Sequence, residues 1–378
     1  MIQADRDRLV SEFIELVKID SETGNEEKIS VVLKAKFEAL GFTVVEDDAK
    51  EKTGHGANNL ICTLEGTKEG VDPIFFNSHM DTVVPGKEIK PQIEDEIIRS
   101  DGTTILGADD KAGIAAIIEM VRLLKDYDID HGQIQVVLTV GEESGLIGAK
   151  ALNATFIDAK YGYAVDSHGD VGGLIVASPT QAKFEITCHG KTAHAGVAPE
   201  EGISAITLAS KAISKMKLGR IDEDTTANIG RFEGGKATNI VSDEAVVIAE
   251  ARSLVPEKLD RQIEQIKDAC RQAEEEVGGS IDVDVTIMYK GYKHDEHTQV
   301  VKVASQAARR VGLEPQLKAT GGGSDANVIS SYGFPMVNLC VGYKNIHTPE
   351  EEISISEMMK ISSLLAGIVI EAAEEGSA

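Results

Sequence analysis

The chain has 378 residues, 42% hydrophobic and 27% charged, with a formal net charge of −25 at pH 7. That length accommodates two domains with separate cores. So acidic a surface repels phosphate backbones and anionic bilayers, which argues against nucleic acid and membrane as partners, whereas gathered carboxylates suit divalent cations.

The first segment, MIQADRDRLVSEFIELVKI, has charges within every apolar run. Leu9, Phe13, Leu16 and Val17 recur at helical spacing, which predicts an amphipathic helix over 4–18 and not a signal peptide. Further helices are expected over 25–40 and 112–126, and strands over 58–65, 73–79, 133–140 and 161–166. The run GIAAIIEMVRLLKDY places Ile114, Ile117, Ile118, Val121 and Leu124 on one helical face, and QIQVVLTV suits a central strand. Alternating strands and helices indicate an α/β domain with a mostly parallel sheet.

Near residue 179 the pattern changes. KFEITCHG alternates, with Phe184, Ile186 and Cys188 on one face. A helix over 203–217, strands over 227–233 and 244–252, a helix over 257–277 and a strand over 281–288 follow, giving the βαββαβ order of a ferredoxin-like unit. The α/β pattern returns with a helix over 298–311, a strand over 335–342 and a helix over 356–374. The expected organisation is a catalytic α/β domain from 1–178 and 289–378, with an inserted domain at 179–288. Cys62, Cys188, Cys270 and Cys340 are far apart and form no C-x-x-C pair, so reduced thiols and a cytoplasmic location are expected. No stretch approaches the length of a membrane span.

The polar groups that follow the strands of the first domain carry the chemistry. His79 and Asp81 end one strand in FFNSHMDTVVPG. Asp109 and Asp110 lie in GADDKAG, Glu142 and Glu143 in GEESG, Asp166 after YGYAV, and His347 after PMVNLCVGYKNI. In an open parallel sheet, ligands bind beyond the carboxyl ends of the strands. Singly, each group has an ordinary explanation as a helix cap, a solvated acid or a surface histidine. Together, two histidines and several acids at one rim are ligand types for divalent metal. Two metals sharing a bridging carboxylate use five ligands: one His and one acid each, with one Asp between. That leaves Asp81 to hold the second ring nitrogen of His79, and Glu142 to act as general base toward a metal-bridged water.

The segments SHMDT, DGTTILGADDKAGIAA, GEES, VDSHG, HGKTAHAG and GGGSDAN resemble the two-zinc exopeptidase family that includes peptidase T, glutamate carboxypeptidase and succinyl-diaminopimelate desuccinylase. The resemblance covers nearly the whole chain, and GADDKAG is most similar to peptidase T. It implies a phosphorylase/hydrolase-like catalytic domain with an inserted lid and dimerisation domain, and hence a homodimer. It implies two Zn2+ per subunit, with Co2+ or Mn2+ able to substitute: His79 and Asp166 on one, Glu143 and His347 on the other, Asp109 bridging. It further implies a cis peptide at Asp109–Asp110. His194 in GKTAHAG matches a lid histidine that steadies the oxyanion, in dimers from the partner subunit. Asn239 and Arg252 match positions that contact the substrate carboxylate, for which Arg offers a planar bidentate fork; a strand-edge ion pair is the plainer use of Arg252. Gly322 and Gly323, with Gly321, would let substrate approach the backbone closely. VDSHG and IHTPEEEI depart from peptidase T at residues bordering the substrate pocket.

The expected activity is metal-dependent hydrolysis of short peptides, as a tripeptide aminopeptidase. A metallocarboxypeptidase or an N-acyl amino-acid amidohydrolase on the same site is the nearest alternative, and a non-catalytic metal-dependent peptide-binding protein the alternative of another class.

Overall fold

The computed structural model describes residues 2–375. The chain divides into two compact units. The first comprises the residues up to 177, then 294–320 and those from 324 on; the second comprises 178–293 with 321–323.

At the centre of the first unit lies a mixed sheet. Its strand order runs Thr43–Glu46, Leu60–Leu64, Ile134–Thr139, Ile74–His79, Tyr161–Ser167, Met336–Cys340, Gly173–Ser178, with Gln316–Ala319 pairing the last. The four middle strands, from Ile134–Thr139 to Met336–Cys340, are mutually parallel. The Ile74–His79 and Ile134–Thr139 strands are buried at every residue, as expected of parallel strands covered on both faces. Helices Arg6–Val17, Ala108–Asp126, Gln299–Arg310 and Ile355–Glu375 supply much of the aliphatic core, including Phe13, Ile114, Ile118, Val301, Leu364 and Ile368. All four middle strands therefore end at one rim, and the loops after them carry the polar groups singled out above.

Each expected element is present, with ends shifted by a few residues. The helix expected from 112 begins at Ala108, but Asp109 (φ −81, ψ 103) and Asp110 (φ −119, ψ 28) leave helical geometry inside it, and the Asp109–Asp110 peptide is cis. The pattern gave no sign of several short strands. Among them are Gln92–Glu94, Ile97–Arg99, Tyr343–Lys344 and Glu352–Ser354, which form a separate antiparallel sheet. That sheet matters for the site, because His347 sits in the hairpin between its last two strands. Among the described residues, no helix is long and apolar enough to cross a membrane.

The second unit has an antiparallel sheet in the order Thr225–Gly234, Glu244–Ser253, Thr180–His189, Ser280–Tyr289, with the short Gly219–Arg220 strand outside the first of these. With helices Ala205–Lys215 and Pro256–Val277 it has the ferredoxin-like arrangement. Phe184, Ile186 and Cys188 are fully buried against Leu208, Ala212, Ile266 and Ala273 of the two helices.

Candidate metal centre

His79 closes its strand with only 2% of its surface exposed. Its Nδ1 lies 2.9 Å from the main-chain oxygen of Asp81 and 3.4 Å from the Asp81 carboxylate. Both neighbours are acceptors, so Nδ1 carries a proton and donates it. Nε2 then faces Asp109 Oδ1 at 3.0 Å and Asp166 Oδ1 at 3.7 Å. A lone pair against two carboxylate oxygens is repulsive unless a proton or a cation stands between them. His347 repeats the pattern: its Nε2 is 2.8 Å from Glu143 Oε1 and 3.3 Å from Asp109 Oδ2.

Asp109 is thus shared. One carboxylate oxygen faces His79 and the other faces His347. Ligand atoms of His79, Asp109 and Asp166, and of Asp109, Glu143 and His347, lie within 4.8 Å of one another in each set. A third set, His79, Glu142 and Glu143, meets the same limit. Donors about 2.0–2.2 Å from a common tetrahedral ion stand about 3.3–3.6 Å apart, close to the separations seen here. The donor chemistry, imidazole nitrogen and carboxylate oxygen, fits zinc and its neighbours.

The electrostatics point the same way. Burial pushes the Asp166 carboxyl up to about 7, only partly offset by the hydrogen bond from His79. Burial, then the Asp166 charge, pushes Glu142 up. Burial also raises Asp110, where nearby Asp166 adds to it, and Oδ1 of that residue is buried with no hydrogen-bond partner. His347 is raised to about 10 by its bonds to Asp109 and Glu143. Carboxylates that resist ionising beside histidines that hold protons describe a site short of positive charge, and a divalent ion inverts that balance.

The surrounding groups hold these side chains through both main-chain and side-chain bonds. Asp81 faces the His79 Nδ1 with both its backbone oxygen, at 2.9 Å, and its carboxylate, at 3.4 Å. The carboxylate also accepts the N–H of Glu142 (3.0 Å) and of Glu143 (3.3 Å) and the Thr23 hydroxyl (2.7 Å). Asn338 brackets Asp166, accepting its N–H at 3.0 Å and donating to its carbonyl at 2.9 Å. Tyr343 donates its hydroxyl to Asp166 Oδ1 at 3.1 Å. Asp325, which follows the glycine run, is buried and accepts from Thr139 at the end of its strand. Lys111 is fully buried and donates to the Ile19 carbonyl at 2.7 Å, and burial lowers its amine to about 7. A cleft of about 530 Å³ is lined by His168, Asp170, Lys344, Ile346 and Tyr343, the residue whose hydroxyl reaches Asp166.

Sequence spacing did not single out Thr23, Asn338, Tyr343, Asp325 or Glu351.

The remaining predicted residues belong to the second unit. His194 is exposed, and its Nδ1 accepts the Gly196 N–H at 3.2 Å. The Asn239 carbonyl accepts the Ala195 N–H at 3.0 Å, tying the two loop segments together. Arg252 grips Glu250 through Nε (3.0 Å) and Nη2 (3.1 Å) and donates through Nη1 to the Gly321 carbonyl at 3.1 Å. The Gly322 carbonyl accepts from Ser178 at 2.8 Å. A Cβ at Gly323 would run into the Tyr289 ring, so this glycine has a packing reason independent of any substrate.

The family model "Peptidase family M20/M25/M40" matches residues 75–371. The chain is 58% identical to the uncharacterized protein YqjE of Bacillus subtilis, over 97% of this chain and 99% of that one. Among solved structures it is similar to the aminopeptidase PepT of Bacillus cereus, at 57% identity and TM-score 0.94, covering 98% of this chain and 99% of that one. A tripeptidase of Staphylococcus aureus is 49% identical with TM-score 0.95, over 98% and 99% of the two chains.

Proposed function

The chain belongs to peptidase family M20/M25/M40, metal-dependent hydrolases of peptide bonds, and within it we propose that this protein is an aminopeptidase acting on tripeptides with two divalent ions per subunit. The shared Asp109 carboxylate, one oxygen toward His79 and the other toward His347, is the observation that carries the two-ion reading. The substrate class is supported by the PepT and tripeptidase relatives and by GADDKAG. The residues fit Zn2+, with Co2+ or Mn2+ as substitutes: His79 and Asp166 for one ion, Glu143 and His347 for the other.

When bound, the ions polarise the scissile carbonyl and acidify a water. Glu142, half-buried at the rim and shifted upward by burial, takes the proton of the attacking water at its carboxylate and delivers it to the leaving amine. Asp81 holds the Glu142 main chain so that its side chain stays at the reacting atoms. His194 donates to the oxyanion. Arg252 and Asn239 bind the substrate carboxylate, with Gly322 and Gly323 beside the chain of the peptide; Arg252 then exchanges or shares its Glu250 partner. We assign the protein to a homodimer through the inserted unit, and to the cytoplasm, which the four free, buried cysteines favour.

The test compares free tripeptides with N-acetylated tripeptides and dipeptides, with and without chelator. Release of the first residue from free tripeptides alone, abolished by chelator and restored by zinc, is the expected outcome. Equal turnover of N-blocked substrates would rule out an aminopeptidase, and chelator-resistant turnover would rule out the metal centre.

A further inference from the structure

Glu351 follows His347 by four residues and is 1% exposed. One of its oxygens accepts the N–H groups of Leu106 (2.8 Å) and Gly107 (2.7 Å), and the other accepts the Asp109 N–H at 3.0 Å. Gly107 has φ 75, a left-handed conformation that glycine adopts freely. Main-chain N–H groups converging around such a residue form a concavity suited to an anion. It lies just before the regular part of the Ala108–Asp126 helix, on the near side of the break at Asp109 and Asp110. No lysine, arginine or histidine ion-pairs with Glu351 among the described residues, so this turn is what holds its carboxylate. Its own N–H donates to the Thr348 carbonyl at 3.1 Å, within the hairpin that carries His347.

We propose that Glu351 is a positioning residue that locks the Asp109-bearing turn to the His347-bearing hairpin, and thereby sets the spacing of the two donors that would share an ion. The proposal rests on the metal-centre reading above. A side chain that merely capped the helix would have no reason to emerge from the same short hairpin as a ligand. Joining the two turns fixes Asp109 Oδ2 relative to His347 Nε2 at the 3.3 Å seen. Glu351→Gln tests this sharply. It keeps the volume and one acceptor oxygen, but sets an NH2 against one part of the N–H array.

The experiment titrates full-length wild type, Glu351→Gln and Glu351→Ala with cobalt(II) chloride. It follows stoichiometry by equilibrium dialysis and the visible cobalt bands by absorption. Both variants should bind one of the two ions 10–100-fold more weakly, the range for losing a group that orients a ligand, with altered bands and a fall in kcat larger than any change in KM. Variants with wild-type affinity, stoichiometry and bands overturn the proposal alone. A wild type that takes up no cobalt overturns the metal-centre reading, and the proposal with it. If neither variant folds, amide exchange of metal-free wild type decides. Leu106, Gly107 and Asp109 N–H groups protected like the core strands uphold the lock, and exchange as fast as exposed loops overturns it.

Discussion

Glu119 and Asp109 are both buried acids of the same long helical segment, yet their surroundings differ. Glu119, fully buried, meets Arg8 at 2.8 Å and Arg122 at 3.9 Å. Nearby Glu12 meets Arg122 at 2.5 Å and Lys36 at 2.9 Å. That cluster supplies its own countercharge. At the sheet rim, Asp109, Asp166, Glu142 and Glu143 gather around two histidines, and no lysine or arginine among the described residues pairs with them. Burying unbalanced charge is costly. A cluster that closes its own balance is structural, whereas one that leaves the balance open is built for a cation that comes from outside the chain.

Substitutions can break that contrast. Asp109→Asn should have the largest effect. On the proposed two-ion reading it removes charge from both positions and should lower kcat/KM by more than about ten-thousandfold, beyond what losing one acid–base group costs. Metal content by elemental analysis should fall with it, and a fully metallated, active variant would contradict the shared-carboxylate reading. Glu142→Gln should come next, lowering kcat by roughly 10²–10⁴-fold while leaving metal content at the wild-type level. Near-normal turnover with metal bound would remove Glu142 from the mechanism.

Glu119→Gln should do the reverse of both. Arg8 keeps Asp126 and Arg122 keeps Glu12, so losing the buried carboxylate charge should destabilise the fold by roughly 1.5–3 kcal/mol, read by urea unfolding, with kcat/KM unchanged for the folded fraction. A variant that loses activity without losing stability would erase the distinction between the clusters. Thr23→Val should be the mildest. The lost hydrogen bond to a charged acceptor is worth about 1.5 kcal/mol, which corresponds to roughly tenfold in kcat/KM if it loosens Asp81. No change would show that the Glu142 and Glu143 amides alone suffice to hold that carboxylate.

The same contrast explains what the sequence could tell. The alternation of strands and helices, the ferredoxin-like order and the ring of His, Asp and Glu were all legible, because periodicity and side-chain chemistry are written residue by residue. His79, Asp109, Glu143, Asp166 and His347 lie after different strands, and their place at one rim follows from parallel topology. Thr23, Asn338 and Glu351 were not legible. Asn338 and Glu351 act on main-chain groups, which every residue has, and Thr23 gives a lone hydroxyl to the distant Asp81 carboxylate, so neither type nor spacing marks the partner. The Thr43–Glu46 strand was missed for another reason: its residues are mostly exposed, so no buried face imprints an alternation. For His194, Asn239 and Arg252 the resemblance carried the assignment, since neither burial nor unbalanced charge distinguishes them.

Asp81 has one more implication. Its carboxylate takes hold of residues 142 and 143 by their amides, which persist whatever side chains those positions carry. The frame of the loop is therefore indifferent to its own chemistry. Libraries that vary position 142 would interrogate reactivity on a fixed scaffold, and any gain or loss they reveal would belong to the new functional group and not to a displaced backbone.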